Sequence, residues 1–239
     1  MIAIVVNSCY KFYQKTIPPL IESAKKANIT PNCIYVVVGE SEEAKPFTFN
    51  GEYHIAFCKY VNIDFNAAIY ISNTDDGQNA ITQYSHFMHI HDTSAFLPHF
   101  WERIQTYTDK CPMYFRLEQF HSKSTGLLNT KWFLENKTKL LERFINYDIN
   151  LAIQYKKAEL PIRAELIAEF PDLPLYINED SIFCFINGRQ PIGEYFCKNP
   201  RHYYDKIYND DIRRVNVYEE PGLIKYQKNW GESDWTLML

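Results

Sequence analysis

Glycine is scarce in this chain, with only 8 glycines among 239 residues. Glycine-rich loops bind phosphates because they let backbone amides approach the anion closely. Neither G-x-G-x-x-G nor G-x-x-x-x-G-K-[ST] occurs anywhere in the sequence. The two commonest nucleotide-binding loops are therefore excluded, and a phosphorylated ligand would have to be held by other groups.

Several other signals are also missing. No apolar run approaches the roughly 18 residues that span a bilayer, and the amino terminus has no basic segment of the kind that opens a signal peptide. The six cysteines form no C-x-x-C metal pattern. Basic residues cluster only in pairs and the net charge is -4, which argues against a nucleic-acid partner. We expect a reduced, cytoplasmic protein with no membrane span.

Aromatic residues, by contrast, are abundant. They make up 16% of the chain, with 18 tyrosines and 16 phenylalanines, and are expected both in a core and on a surface that contacts carbohydrate. Hydrophobic content of 46% and charged content of 23% are those of a globular protein. We find no repeat, linker or low-complexity stretch, so a single domain over residues 1–239 is predicted.

The first forty residues predict a β-α-β unit. Residues 2–6 are a continuous run dominated by β-branched side chains, as in a parallel strand that is covered on both faces. A helix is predicted over 13–27, with Pro18 and Pro19 breaking its start, and a second buried strand over 34–38. A parallel α/β sheet follows from this order.

The rest of the chain predicts further elements of both kinds. The fold class is α/β, with a mostly parallel, Rossmann-like central sheet flanked by helices and an irregular C-terminal portion from Pro171 onward. Further strands are predicted over 53–58, 84–90 and 113–120, and helices over 64–72, 98–107, 131–146 and 151–170.

Polar residues at the ends of the predicted strands are the candidate site. In an open parallel sheet, ligands bind at the carboxyl ends of the strands, near the point where the strand order reverses. Neighbouring strands would bring these residues to one edge. They are Asn7, Ser8, Tyr10, Glu40, His89, His91 and Asp92.

The segment His89-Ile90-His91-Asp92-Thr93 is the sharpest candidate. Strand alternation sends His89 and His91 to one face, and Asp92 then lies at the strand tip. A carboxylate there can hold a divalent cation or a ribose hydroxyl. It can equally be the N-cap of a following helix, and His89 can be a metal ligand or a buried, hydrogen-bonded imidazole.

This order of strands, helices and acids resembles that of the GT-A glycosyltransferases. The resemblance covers most of residues 1–135 and implies a GT-A-like domain, with a nucleotide-binding half (1–110) and an acceptor-binding half with a C-terminal extension (111–239). Glu40 stands where that family often has an acid that meets uracil. The residues that the resemblance assigns to the nucleotide are Val6, Asn7, Ser8, Tyr10, Glu40, His91 and Asp92.

The resemblance also implies a divalent metal on the diphosphate. His91-Asp92-Thr93 stands where the family has an Asp-x-Asp motif, but the first aspartate is absent here. Asp92 and His89 are the implied ligands. Because imidazole is softer than a carboxylate, Mn²⁺ is favoured over Mg²⁺.

Acceptor and base residues are implied in the second half. The segment from Gly126 to Phe133 is similar to a glycine-led segment that lines the donor sugar and acceptor. Asp180, in the pair Glu179-Asp180, is the predicted catalytic base of an inverting enzyme; Glu118 and Glu194 are rivals, and all three could be ordinary surface acids. The predicted sugar and acceptor contacts are Gly126, Leu127, Asn129, Trp132 and Trp230.

The predicted function is transfer of a sugar from a nucleoside-diphosphate sugar, most simply a UDP-sugar, to a carbohydrate or glycoprotein glycan. Residues 225–231 resemble glycosyltransferases encoded by large DNA viruses of algae, which would place the protein in a host cytoplasm. Three alternatives stay open. They are a sugar nucleotidyltransferase, a non-catalytic sugar-binding or assembly module on a degenerate fold, and a metallohydrolase built on His89, His91 and Asp92.

Overall fold

The computed structural model describes residues 1–61, 65–116, 125–145, 159–169, 201–205 and 213–227. The strands are β1 (Ile2–Cys9), β2 (Ile34–Gly39), β3 (Lys45–Phe49), β4 (His54–Phe57), β5 (His86–His91), β6 (Ser94–Phe96), β7 (Tyr114–Arg116), β8 (Gly126–Asn129), β9 (Arg201–Asp205), β10 (Arg213–Tyr218) and β11 (Leu223–Gln227). The helices are α1 (Tyr13–Lys26), α2 (Asn66–Asn73), α3 (Asp75–Thr82), α4 (Phe100–Gln105), α5 (Thr130–Glu135), α6 (Lys137–Ile145) and α7 (Leu160–Glu169).

A seven-stranded sheet forms the centre of the molecule, in the order β3-β4-β2-β1-β5-β8-β7. The inner strands β4, β2, β1 and β5 are parallel, whereas β3, β8 and β7 each run antiparallel to their neighbours. The predicted α/β class and mostly parallel sheet are therefore confirmed. From β1 the chain moves to β2 and β4 on one side and then returns to β5 on the other, so the strand order reverses between β1 and β5.

The buried runs of β1 and β2 explain why these strands lie inside. Seven of the eight residues of β1 and all six of β2 are buried. Ile, Val and Ala side chains fill both faces of these strands, as a parallel sheet covered by helices requires. Helix α2 packs against β1 and β2, and α5 packs against β5.

A second, four-stranded antiparallel sheet has the order β6-β11-β10-β9. The C-terminal portion was predicted to be irregular, and these three late strands correct that prediction. Composition misled because Pro, Asn and Asp favour turns, while tyrosine, which is equally common there, favours strands. The short strand β6 follows β5 directly and brings this sheet against the end of the central one.

Helix α1 runs through Pro18 and Pro19 rather than starting after them. Each proline lacks the N–H that would bond to the carbonyl four residues earlier. Those carbonyls belong to Gln14 and Lys15, which are exposed, so water can satisfy them. The predicted break at this point was wrong.

The helix predicted over 131–146 is two helices. Asn136 lies between α5 and α6 with φ −106° and ψ 7°, outside the helical region. Helix α7 begins at Leu160 and has Pro161 in its first turn, where a missing N–H removes no intrahelical bond. Residues 151–158 of the longer predicted helix lie outside the described residues.

The lengths of the helices and the state of the cysteines can also be compared with the sequence predictions. Within the described ranges, no helix is long and apolar enough to cross a membrane. The described cysteines, which are Cys9, Cys33, Cys58 and Cys111, are free thiols. The boundary between the predicted halves at residues 110 and 111 stays a prediction.

Candidate functional site

Asp92 lies directly after β5, at the point where the strand order reverses. Its backbone N–H donates to the carbonyl of Asn7 on β1 at 3.0 Å. Its Oδ2 atom accepts hydrogen bonds from Ser8 Oγ at 2.6 Å and from Thr16 Oγ1, near the start of α1, at 2.7 Å. The carboxylate is thus fixed by the neighbouring strand and by the helix that follows it.

The alternative role of Asp92 as a helix N-cap was wrong. The next residues form β6, which begins at Ser94, and the next helix begins only at Phe100. Asp92 instead lies at the tip of β5, as the other interpretation of the sequence predicted.

Burial raises the pKa of Asp92, and hydrogen bonds from Ser8, Thr16 and the N–H of Thr93 lower it in part. Burial has the larger effect because removing water from a carboxylate disfavours its charged form. Asp92 is only partly buried, so its carboxyl group can also accept a hydrogen bond from a ligand hydroxyl group.

His89 and His91 lie on the same face of β5, as strand alternation predicts, with ring centroids 6.3 Å apart. His89 is completely buried and His91 is half-buried. The pKa of His91 lies well below its usual value because of burial first, then the positive charge of Lys225 and the neighbouring His89. His91 is therefore a neutral imidazole at neutral pH.

Lys225, on β11, was not among the predicted site residues. It is only 9% exposed, and its Nζ donates to Thr125 Oγ1 at 3.4 Å. The next residue, Tyr226, donates its backbone N–H to the carbonyl of Thr93 at 2.8 Å, which holds β11 beside the end of β5. The signal in the sequence was a lysine between apolar residues, at a position of β11 that alternates toward the interior.

The described residues do not complete a divalent-metal site around Asp92 and His89. Among them, no group of three or more His, Cys, Asp or Glu side chains is placed to hold a metal ion. Two hydroxyl groups already donate to Asp92 Oδ2, and the positive charge of Lys225 acts on the neighbouring His91. The binding of Mn²⁺ at this site stays a prediction, and the contacts of Asp92 among the described residues do not favour it.

Glu40 and Tyr10 are neighbours at the carboxyl edge of β1 and β2. The Tyr10 N–H donates to the carbonyl of Gly39, and the Glu40 N–H donates to that of Tyr60, each at 2.9 Å. Glu40 has a positive φ of 60°, a conformation that a side-chain-bearing residue rarely adopts. Burial raises the pKa of Glu40, and the charge of Lys11 partly opposes that shift.

Three aromatic rings form a surface beside Glu40, which we call the aromatic platform and define as Tyr10, Tyr13 and Phe57. The Tyr10 ring is 5.6 Å from that of Tyr13 and 6.4 Å from that of Phe57, and the latter two are 5.6 Å apart. Tyr10 itself is 51% exposed. The exposed ring of Tyr10 offers a flat apolar surface that suits a planar heterocycle, and its backbone bonds to Gly39, the residue before Glu40.

Val6, Asn7 and Ser8 lie beneath this edge rather than on it, because all three are buried. Asn7 Oδ1 accepts the backbone N–H of Ala67 at 2.9 Å and so fixes the start of α2. The Ser8 hydroxyl donates its hydrogen bond to Asp92. These side chains position the site. Because they are buried, the structure does not favour the predicted direct contact between them and a nucleotide.

The structure separates the residues predicted to line the sugar and acceptor. Strand β8 runs antiparallel to β5, so Gly126 lies opposite His89, whereas Asn129 lies opposite His86 at the amino end. Asn129 there caps α5, accepting the N–H of Trp132 at 3.0 Å. Of these two residues, Gly126 is therefore the one nearer the candidate site.

Two members of that set are interior residues. Leu127 is fully buried, and Trp132, which is 9% exposed, packs in the hydrophobic core. Other predicted residues fall outside the described part of the chain, and their roles stay predictions. These are Asp180, Glu118, Glu194 and Trp230.

The fold and the site together define a Rossmann-like α/β protein with polar side chains at the strand ends where its strand order reverses. No protein-family model and no curated protein matches this chain. Its function is therefore argued from the geometry of the site.

Proposed function

We propose that this protein is a glycosyltransferase that binds a nucleoside-diphosphate sugar at the carboxyl edge of β2, β1 and β5. The observation that carries the proposal is the alignment of Tyr10, Glu40 and Asp92 along one edge, across three adjacent strands. In open α/β sheets this edge is where nucleotides bind. A UDP-sugar is the simplest donor, and a carbohydrate or glycoprotein glycan the acceptor.

Each of the three residues has a part that its surroundings suit. The exposed ring of Tyr10 would stack on the nucleobase, since base–aromatic stacking contributes about 1–3 kcal/mol. The carboxyl group of Glu40, beside that ring, would accept an N–H of the base. Asp92, two strands away from Glu40, would accept a hydroxyl group of the ribose or of the sugar.

Sugar transfer also requires a base and a counter-charge. The acceptor oxygen forms a bond to the anomeric carbon as the bond from that carbon to the diphosphate breaks, and a carboxylate takes the proton of the acceptor hydroxyl. Asp180, Glu118 and Glu194 are the proposed candidates for that role. The departing diphosphate keeps the bonding electron pair, and positive charge near it lowers the barrier.

A panel of nucleotide-sugars, scored for released nucleoside diphosphate, tests the proposal. Wild type is compared with Asp92→Asn, and Asp109→Asn, at an exposed position, is the matched control. We expect release from at least one donor, a loss of about 10-fold or more in Asp92→Asn, and no change in Asp109→Asn.

Calorimetry with UDP and GDP, with and without Mn²⁺, separates binding from turnover. Binding of a nucleotide without release of product from any donor would instead favour the non-catalytic sugar-binding module. Absence of both binding and release under every metal condition would show that the proposed function is wrong.

A further inference from the structure

We propose that Lys225 supplies the positive charge that binds the phosphate groups of the ligand at the end of β5. The inference rests on the proposed function in that the anion is the donor's diphosphate. It concerns a residue of the second sheet, whereas the platform and acids of the site belong to the central sheet.

The two sheets meet at Lys225. Its strand, β11, pairs with β6, and Lys225 lies opposite Ser94, two residues after Asp92. The ammonium group reaches Thr125 Oγ1 at 3.4 Å, immediately before β8 of the central sheet. The backbone of β11 is further tied to Thr93 through Tyr226. The ammonium is therefore held at the end of β5 by contacts with both sheets.

A second polar group accompanies the ammonium. Ser94 is 4% exposed, and its Oγ has no hydrogen-bond partner among the described residues. Cross-strand partners in an antiparallel pair project from the same face, so Ser94 and Lys225 share one side of the second sheet. A buried hydroxyl without a partner loses free energy, and an anionic oxygen bound beside Lys225 would satisfy it.

Lys225 brings one positive charge to this corner, and that charge attracts an anion and repels a divalent cation. An ammonium group carries three N–H donors and is a common partner of phosphate, and a site with little water strengthens that attraction. His91, Asp92 and Thr93 are all partly exposed, so a ligand can reach the end of β5 beside which Lys225 lies.

The experiment uses the full chain, and inorganic pyrophosphate and UDP are titrated by calorimetry in EDTA. We expect both to bind without metal, with an affinity that falls as salt rises. Lys225→Met should weaken both by about 10-fold or more, because hydrogen bonds to charged groups contribute about 1.5–3 kcal/mol. Lys225→Arg, which keeps the charge, should retain most of the affinity.

Lys25→Met is the matched control, because Lys25 is an exposed lysine that pairs with Glu52 on the surface. It should bind pyrophosphate as the wild type does. If Lys225→Met does not fold, the wild-type titration decides: pyrophosphate binding in EDTA supports the proposal, and binding that requires Mn²⁺ overturns it. Equal affinity of folded Lys225→Met and wild type overturns it as well.

Failure of this inference and failure of the proposed function give different results. Release of nucleoside diphosphate that needs Mn²⁺ and is unaffected by Lys225→Met would leave the transferase proposal standing and remove the role of Lys225. Lys225-dependent pyrophosphate binding without turnover of any nucleotide-sugar would do the reverse. Absence of pyrophosphate and UDP binding under all conditions would overturn the inference, whatever the panel shows.

Discussion

Ser8 Oγ donates a 2.6 Å hydrogen bond to Asp92 Oδ2, across 84 positions of the sequence. It joins the next-to-last residue of β1 to the residue that follows β5, where the strand order reverses. Thr16 donates to the same oxygen from α1. The candidate carboxylate is therefore placed by the topology of the sheet, and any change in its charge acts on three elements at once.

The first prediction concerns the pH dependence of stability at Asp92. Burial raises its folded pKa above the unfolded value of about 3.9. Between those two values the folded chain binds more protons than the unfolded chain. The stabilising contribution of this carboxyl is therefore complete below the unfolded pKa and is lost as pH rises through the folded one.

Asp92→Asn cannot titrate, so its stability relative to wild type should be more favourable at a pH of about 7.5 than at about 4.5. Urea unfolding of both proteins at the two pH values measures this. Glu40, whose pKa is also raised, is present in both proteins and cancels. An identical difference at the two pH values would contradict the prediction.

The second prediction concerns the aromatic platform. Tyr10→Ala should weaken UDP binding by about 5–100-fold, in line with about 1–3 kcal/mol of base stacking. Because Tyr10 is 51% exposed, the free energy of unfolding should change by only about 1 kcal/mol or less. Calorimetry measures the UDP affinity, and urea unfolding measures the free energy of unfolding.

Phe49→Ala is the comparison for Tyr10→Ala. Phe49 is 46% exposed and lies on β3, the strand at the outer edge of the sheet. Its loss should leave UDP affinity unchanged. Equal effects of the two substitutions on UDP binding would remove the platform from the site.

Local sequence patterns predicted the inner strands well, because a strand that is buried on both faces has a continuous run of apolar residues. The β-branched runs of β1 and β2 can be recognised without knowing their partners. The position of Asp92 followed from the same logic, since a polar residue after a buried run lies at a strand end. Strand β3 was missed because it is an edge strand whose residues are mostly exposed, and so it has no such run.

Contacts between distant segments could not be predicted from local patterns. Lys225 and Thr125 are 100 positions apart, and their meeting depends on β11 pairing with β6. The sequence predicted no strand at β8, and its antiparallel pairing with β5 is what places Asn129 opposite His86. Strand direction is a property of the whole chain path, and it decided which predicted residues reached the site.

The third prediction concerns the close approach of Gly39 and Asn66. A Cβ atom at position 39 would collide with the side chain of Asn66, including its Cβ at 2.8 Å. Gly39 ends β2 next to Glu40, and Asn66 is fully buried. Gly39→Ala should therefore cost about 1–3 kcal/mol of unfolding free energy, as overpacking does.

A double-mutant cycle tests whether that loss of stability arises from the contact between positions 39 and 66. In the background of Asn66→Ala, which removes most of the colliding atoms, the cost of Gly39→Ala should fall by about 1 kcal/mol. Urea unfolding of the four proteins measures the coupling. Additive effects would mean that the loss arises elsewhere in β2.

The last prediction separates a cap from a sugar contact at Asn129. Because Asn129 Oδ1 accepts the N–H of Trp132 at the start of α5, Asn129→Ala should lower the free energy of unfolding by about 1 kcal/mol, as loss of an N-cap does. Asn129→Ser, which can still cap, should recover most of that stability. Neither substitution should alter UDP affinity or nucleotide-sugar turnover, because Asn129 lies at the amino end of β5, across the sheet from Asp92. Loss of turnover in a folded Asn129→Ala protein with normal stability would instead restore the acceptor role that the sequence predicted for this residue.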